Sequence, residues 1–292
     1  MAKILLGGGI VVERQYFVDT IAEADDFRLC SDFNLALTSK VINAGRMLST
    51  HNQVYMLGTI GQDHDGEYAL SELKKFKFNT GLIRKTDQLE TGKVAVITNA
   101  QGVSANTVYL GANELTACPA DLEKYDCFYL ATSLPLDTLY QILETKPKGK
   151  PTLLDVPNKQ EELDSTCFKY VDFLTPNRKE AELLTDMKIN TVDQAFEAAK
   201  ILQKFTKGTV VISLDIEGCV VVNSELKKFV PTPEHEPIDT TGAGDIFRGI
   251  FFNSFLKTGE ILPSAKKAVK LANESTLIKG VYHSIEAVIE EV

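Results

Sequence analysis

The sequence has no apolar run approaching the roughly 18–20 residues that cross a bilayer, which argues against a membrane protein. It also lacks a basic excess: 31 Lys and Arg stand against 40 Asp and Glu, a formal net charge of −9. A general binder of nucleic acid or of membrane surfaces needs a positive footprint. Both classes are disfavoured, whereas an anionic small ligand sees only the local field. Cysteine is sparse and unpatterned. Cys30, Cys118, Cys127, Cys167 and Cys219 are odd in number and contain no C-x-x-C pair. That fits buried thiols in a reducing cytoplasm better than a disulfide or zinc framework. The four histidines do not cluster at metal-ligand spacing; Glu234-His235-Glu236 reads as an exposed loop. Internal repeats and low-complexity stretches are absent. Lys3 and the apolar stretch after it faintly resemble a secretory leader, but Gly7-Gly8-Gly9 interrupts it and no A-x-A-like site follows.

What is present is an ordinary globular composition, 44% apolar and 24% charged over 292 residues, enough to bury a large core without disulfides. Short strand-like runs alternate with longer helical ones. Strands are predicted at 4–12, 54–57, 127–131, 152–155, 171–174 and 209–214. Helices are predicted at 67–76, near 136–143 and over 192–205, the last with Val192, Ala195, Phe196, Ala199 and Leu202 at helical spacing. This alternation implies a mostly parallel sheet with helices on both faces, and ligands of such sheets bind beyond the carboxyl ends of the strands. Two segments break the rhythm. Residues 16–37 have β-leaning pieces without a helical period. Residues 93–110 read as a hairpin turning at Asn99-Ala100-Gln101-Gly102. Together they suit a small second sheet, either a lid over a site or a dimer contact.

The strongest local signal is Asp239-Thr240-Thr241-Gly242-Ala243-Gly244-Asp245 ahead of a helical pattern carried by Phe247, Ile250, Phe251 and Phe255. Small residues let the backbone approach a ligand. The free N–H groups of a helix start, with the dipole, favour negative charge there. Asp245, in the first turn, stands where it could take a proton from an attacking hydroxyl. A lone Asp at a helix start also serves as a cap.

The whole heptapeptide, continued by x-Phe, resembles the C-terminal signature of the ribokinase-like sugar kinases, the PfkB family. Competing phosphate loops are missing: there is no G-x-x-x-x-G-K-S/T, and Gly7-Gly8-Gly9-Ile10-Val11-Val12 lacks the last glycine of a dinucleotide fingerprint. Thr175-Pro176-Asn177-Arg178-Lys179-Glu180 resembles the family's T-P-N-x-x-E motif. Gly111-Ala112-Asn113 resembles its G-A-N segment, Gly61 to Gly66 its G-x-D-x-x-G turn, and Ser213 to Gly218 its T-L-G-x-x-G turn.

The resemblance implies a single three-layer α/β/α domain over 1–292, with lid segments at about 14–37 and 91–111. It also implies transfer of the ATP γ-phosphoryl group to a sugar hydroxyl. Asp245 is then the general base, with the backbone of Gly242, Ala243 and Gly244 as anion hole. Asn177, Glu180, Ser213, Asp215, Gly218, Thr241 and Asn273 serve ATP and Mg²⁺, and adenine lies between the 220–230 region and the helix holding Asn273. Asp239, Thr241, Gly280 and Ser284 flank a monovalent cation, K⁺. Glu13, Thr38, Ser39, Asn43 and Asp245 hold the acceptor, and two lids can pair into a homodimer.

The acceptor half departs from the family. Glu13 stands where an Asp is usual, Val11 replaces a polar contact, and Thr38-Ser39 replaces a diglycine. Ser133 stands near an expected acidic contact, and Asp215 replaces a glycine. Lys40 reads either as an anion contact or as a solvated helix residue, the second being preferred. A nucleoside kinase, with Phe17, Phe27, Phe33 or Tyr109 stacking on the base, and a binding protein that has lost turnover are the alternatives.

Overall fold

The computed structural model describes residues 1–156, 163–234 and 236–292. His235, in the loop singled out above, lies outside the described residues. The chain opens with β1 (Lys3–Gly7), β2 (Val11–Phe17), β3 (Asp32–Leu37), α1 (Lys40–Leu48), β4 (Gln53–Gly61), α2 (His64–Lys75) and β5 (Ile83–Thr86). The hairpin β6 (Gly92–Thr98) and β7 (Ser104–Tyr109) follows. Next come β8 (Cys127–Ala131), α3 (Leu136–Thr145), β9 (Thr152–Asp155), β10 (Phe173–Leu174), α4 (Arg178–Thr185) and α5 (Val192–Leu202). The chain finishes with β11 (Thr209–Ser213), β12 (Gly218–Val222), β13 (Lys227–Pro231), α6 (Ala243–Thr258), α7 (Ile261–Ser275) and α8 (Val281–Val288).

The main sheet has nine strands in the order β13-β12-β11-β10-β9-β8-β1-β4-β5. It is parallel except at β12 and β13, which run antiparallel to their neighbours. Side-chain alternation along each strand splits the apolar residues between two cores. From β1, Ile4 and Leu6 pack with residues of α1, α6 and α7. Leu5 instead packs with residues of α3, α4 and α5 on the other face. The result is the three-layer α/β/α sandwich that the strand–helix alternation implies.

The second sheet has four strands in the order β3-β2-β6-β7. Its first strand begins at Val11, so the predicted strand over 4–12 is two strands belonging to different sheets. The break has a steric cause. A Cβ on Gly8 would lie 2.2 Å from Val41 Cγ2, so the chain can pass α1 only as glycine. The turn out of the main sheet is then pinned by Asn113. Its Oδ1 accepts from Ile10 N at 2.8 Å and its Nδ2 donates to Ile10 O at 2.9 Å. This is the structural work of the Gly111-Ala112-Asn113 segment.

Several other expectations shift at their edges. The helix expected from residue 67 begins at His64, capped by the Asp63 carboxylate accepting from Gly66 N. The strand expected over 171–174 shortens to Phe173–Leu174, and the helix expected to reach 205 stops at Leu202.

Candidate active site

Three chain segments converge beyond the carboxyl ends of the central strands. The first is the start of α6. Gly242 adopts φ +79°, and a Cβ there would lie 2.2 Å from Val281 Cγ2, so only glycine fits both the turn and the space. Asp245 follows in the first helical turn and is 8% exposed. Burial raises its carboxyl above the ordinary range, against the opposing influence of Arg248 and of the Asn43 hydrogen bond. A carboxylate held at that higher basicity is suited to receive a proton from a hydroxyl.

The second segment is the start of α1. Asn43 donates from Nδ2 to Asp245 Oδ2 at 2.9 Å, and its Oδ1 accepts from the Thr38 hydroxyl at 3.3 Å. Ser39 caps α1, its hydroxyl accepting from Ile42 N at 3.2 Å. The Ser39 oxygen therefore caps the helix, and the hydroxyl keeps its own proton to donate. The reading of Lys40 is corrected. Rather than being merely solvated, its Nζ meets Glu180 Oε1 at 2.6 Å.

The third segment is the loop after β10. Asn177 and Glu180 form a reciprocal capping box at the start of α4. Glu180 is fully buried, and its Oε2 accepts from both Asn177 N (2.7 Å) and Arg248 Nη2 (3.1 Å). Both Glu180 oxygens are thus engaged, which does not fit direct ligation of a metal. The residues do fit a hydrated Mg²⁺ carried by nucleotide phosphates, because Asn177 lines the adjoining cleft and Mg²⁺ keeps most of its waters.

That cleft measures about 380 Å³. Asn177, Ser213, Asp215, Gly218 and Asn273 of the predicted nucleotide residues line it, with Ala243 and Gly244; Glu180 and Thr241 do not. Val269, Ala272 and Ile216 supply apolar surface, suited to a flat aromatic base. The expected wall at 220–230 is corrected. Val220, Val221 and Val222 face the two cores, and the wall is instead made at 215–218 and Thr232.

Asp215 keeps the left-handed backbone of the glycine it replaces, with φ +53°. Its carboxylate turns to Arg178 Nε at 3.1 Å. Arg178 also pairs with Glu217, so the charge beside the cleft is balanced by the variable position of the T-P-N-x-x-E motif.

The segments expected at a cation also meet. Asp239 accepts from Thr241 N at 2.9 Å and from Gly280 N at 2.8 Å. Burial pushes the Asp239 carboxyl up, but these donors outweigh it and hold the group below its ordinary range. Ser284 is buried, with its hydroxyl donating to Val281 O at 3.0 Å.

Glu13 is half-buried on β2, and burial raises its pKa. Val11, Glu13 and Phe17 share one face of the strand by two-residue alternation. Arg14 and Tyr16 occupy the opposite face; Arg14 pairs with Asp65 of α2 and Tyr16 packs on Phe33. The strand register puts Leu35 and Tyr109 on that opposite face too. Phe33 and Tyr109 are therefore turned away from Glu13, and Phe27 is 78% exposed in the loop between β2 and β3. Of the aromatics considered for stacking on a nucleoside base, Phe17 alone shares the Glu13 face. Ser133 accepts from Gly9 N at 2.9 Å, supporting the exit of β1 rather than offering an acidic contact.

Two charged residues at this site escape sequence reasoning: Arg248, just past the Asp239–Asp245 signature, and Asp155, at the end of β9 and in no motif. Arg178 fills a variable position of the T-P-N-x-x-E motif, which says nothing of its partners.

The fold and this glycine-bounded acid define a phosphotransferase of the ribokinase type, and the comparisons agree. Residues 30–288 match the model of the pfkB family carbohydrate kinases. The chain belongs to that family and is a kinase that phosphorylates a sugar hydroxyl. The deoxyribokinase of Salmonella typhi is 28% identical over 246 residues, 81% of this chain and 80% of that protein. The ribokinase of Staphylococcus aureus is 27% identical, over 80% and 79% of the two chains. In structure, ribokinase from Thermotoga maritima superposes with a TM-score of 0.85 at 22% identity, covering 99% of this chain and all of that one. Arabidopsis thaliana ribokinase, complexed with ribose and ATP, gives 0.86 at 18% identity with 99% of each chain covered.

Proposed function

We propose that this kinase transfers the γ-phosphoryl group of ATP to a hydroxyl of a pentose or deoxypentose, with Asp245 as general base. The observation that carries this reading is the buried Asp245 carboxylate, held by Asn43 and directly following Ala243 and Gly244, which line the nucleotide cleft. Asp245 accepts the hydroxyl proton as the oxygen bonds to the γ-phosphorus and the bond from that phosphorus to the β,γ-bridging oxygen breaks, with ADP leaving. The N–H groups of Gly242 and Gly244 serve the charge on the transferring group, that of Ala243 being engaged by the Thr240 carbonyl at 3.2 Å, in a site where positioning and charge neutralisation do most of the work. Mg²⁺, when bound with ATP, neutralises the phosphates; Asn177 orients its waters, and Glu180 acts through Lys40 and Arg248. K⁺ is proposed beside the loops joined by Asp239.

Glu13 and Asn43 hold acceptor hydroxyls. Val11, on the Glu13 face, has no hydrogen-bonding group. A hydroxyl placed against it goes unpaired at a cost of about 1–3 kcal/mol, which favours a deoxy sugar. The Salmonella relative named deoxyribokinase is in keeping with this preference.

The test is ADP release with Mg-ATP across ribose, 2-deoxyribose, hexoses and nucleosides, in K⁺ and in Na⁺, with Asp245→Asn in parallel. One pentose should raise turnover, and the variant should lose about 10²–10⁴-fold. Turnover by the variant equal to that of the native chain would remove Asp245 from the role of base. A nucleoside as the best acceptor would replace the sugar reading.

Two further proposals complete the assignment. The lid face carrying Phe33, Leu35 and Tyr109, which are 49%, 38% and 44% exposed, serves as a homodimer contact, and light scattering of Leu35→Asp should report half the native mass. The protein works in the cytoplasm: all five cysteines are free, and no helix among the described residues is long and apolar enough to cross a membrane.

A further inference from the structure

We propose that Arg248 is a positioning residue of the transfer reaction: it acts through Asp245, clamping the base to the wall of the nucleotide cleft. The inference rests on Asp245 being the base. Arg248 lies one turn along α6 from Asp245. The structure buries it at 3% exposure.

Its guanidinium reaches four elements at once. Nη1 donates to Asp245 Oδ1 at 3.3 Å and Nη2 to Glu180 Oε2 at 3.1 Å. Nε donates to the carbonyl of Thr175, just past β10, at 3.1 Å, and lies 3.3 Å from Asp155 Oδ1 at the end of β9. A planar fork with donors in fixed directions can span such a set; the single ammonium of a lysine cannot. Through Glu180 and its reciprocal cap, the same side chain is tied to Asn177 on the cleft wall. The base and the wall of the nucleotide cleft are thereby held by one group.

The division of labour on Asp245 supports a positioning role. Arg248 takes Oδ1 and Asn43 takes Oδ2, which fixes the plane of the carboxylate. Each oxygen has a further lone pair, so a hydroxyl can still be received. The charged groups around this pair are Lys40 of α1, Asp155 of β9 and Glu180 of α4, with the neutral phenol of Tyr129 of β8 beside them. Three carboxylates face two cations, so removing Arg248 leaves Asp245 harder to ionise.

The test uses the full chain with Arg248→Met and Arg248→Lys, assayed with the best acceptor from the panel. Displacing a reacting group by about 1 Å costs on the order of 10²-fold. Both variants should therefore lose about that factor in kcat, with the KM for ATP and ADP binding by calorimetry nearly unchanged. The acid limb of the kcat profile should move to higher pH in Arg248→Met and return toward the native position in Arg248→Lys, which restores charge without the fork. Combining Arg248→Met with Asp245→Asn should cost no more than Asp245→Asn alone, since the two act as a unit.

Native kcat in Arg248→Lys, or an unmoved acid limb in a folded Arg248→Met, overturns the proposal. Should Arg248→Met fail to fold, the kcat of Arg248→Lys decides alone. If Asp245→Asn itself keeps native turnover, the base assignment has failed rather than the clamp.

Discussion

Asn43 and Asp245, 202 positions apart in the chain, meet through a hydrogen bond of 2.9 Å from amide to carboxylate. The contact requires α1 and α6 to cross closely, and Gly249 sits at the crossing. A Cβ on Gly249 would lie 2.5 Å from Ala44 O and 2.8 Å from Met47 Cβ. Gly249→Ala should separate the helices, cost about 1–3 kcal/mol of stability and reduce kcat, while ADP affinity stays close to native. Urea unfolding and steady-state kinetics check both parts; a variant with native kcat would show that the crossing distance does not govern the base.

Asp155 should make stability depend on pH in a definite direction. It is fully buried, and burial, opposed by Arg248, lifts its carboxyl from 3.8 to about 6. Because the folded value lies above the unfolded one, its contribution is fully present below about pH 4 and is lost as pH rises through about 6. The size is on the order of 3 kcal/mol for a shift of roughly two units. The native chain should therefore lose stability relative to Asp155→Asn between pH 4 and 7. Parallel urea midpoints for the two proteins over that range would refute it.

Asp215→Gly should tighten nucleotide binding. The substitution relieves a left-handed backbone at a non-glycine residue, worth about 1 kcal/mol, and removes a negative charge from the cleft. Arg178 keeps its contacts to Glu217 and to the carbonyls of Ile189 and Leu214. The KM for ATP should fall several-fold at low ionic strength and less in high salt. A KM that rises instead would mean that Asp215 itself holds the nucleotide.

Ser39→Ala separates capping from substrate binding. Loss of the cap should cost about 1 kcal/mol with little change in the KM for the sugar. A large rise in that KM with unchanged stability would return Ser39 to the acceptor site.

The fold and the placement of Asp245 at the start of a helix were legible because their signals are local. Strand–helix alternation gives the layers, and the turn at Gly242 with Asp245 behind it is contiguous in sequence. The clamp was not legible, because Arg248, Glu180 and Asp155 lie on separate elements and meet only in three dimensions. Lys40 was misread for the same reason: its partner Glu180 is 140 positions away. The transition from β1 to β2 was hidden by an unbroken apolar pattern at Ile10, Val11 and Val12, although Gly7-Gly8-Gly9 marks the place. The cleft wall expected at 220–230 came from the family resemblance, and a resemblance over a whole segment does not say which way the strand valines at 220–222 face.

Thr38 has a mechanical consequence. Its backbone N–H donates to Val11 O at the root of the second sheet, and its hydroxyl donates to Asn43. Three residues further on from Leu37, the last residue of β3, α1 is under way. One residue thus joins the second sheet to the amide that meets Asp245, and the contact stands with no acceptor present. The small sheet is therefore a support of the carboxylate as well as a cover, and a change at its root is felt at Asp245 before any sugar arrives.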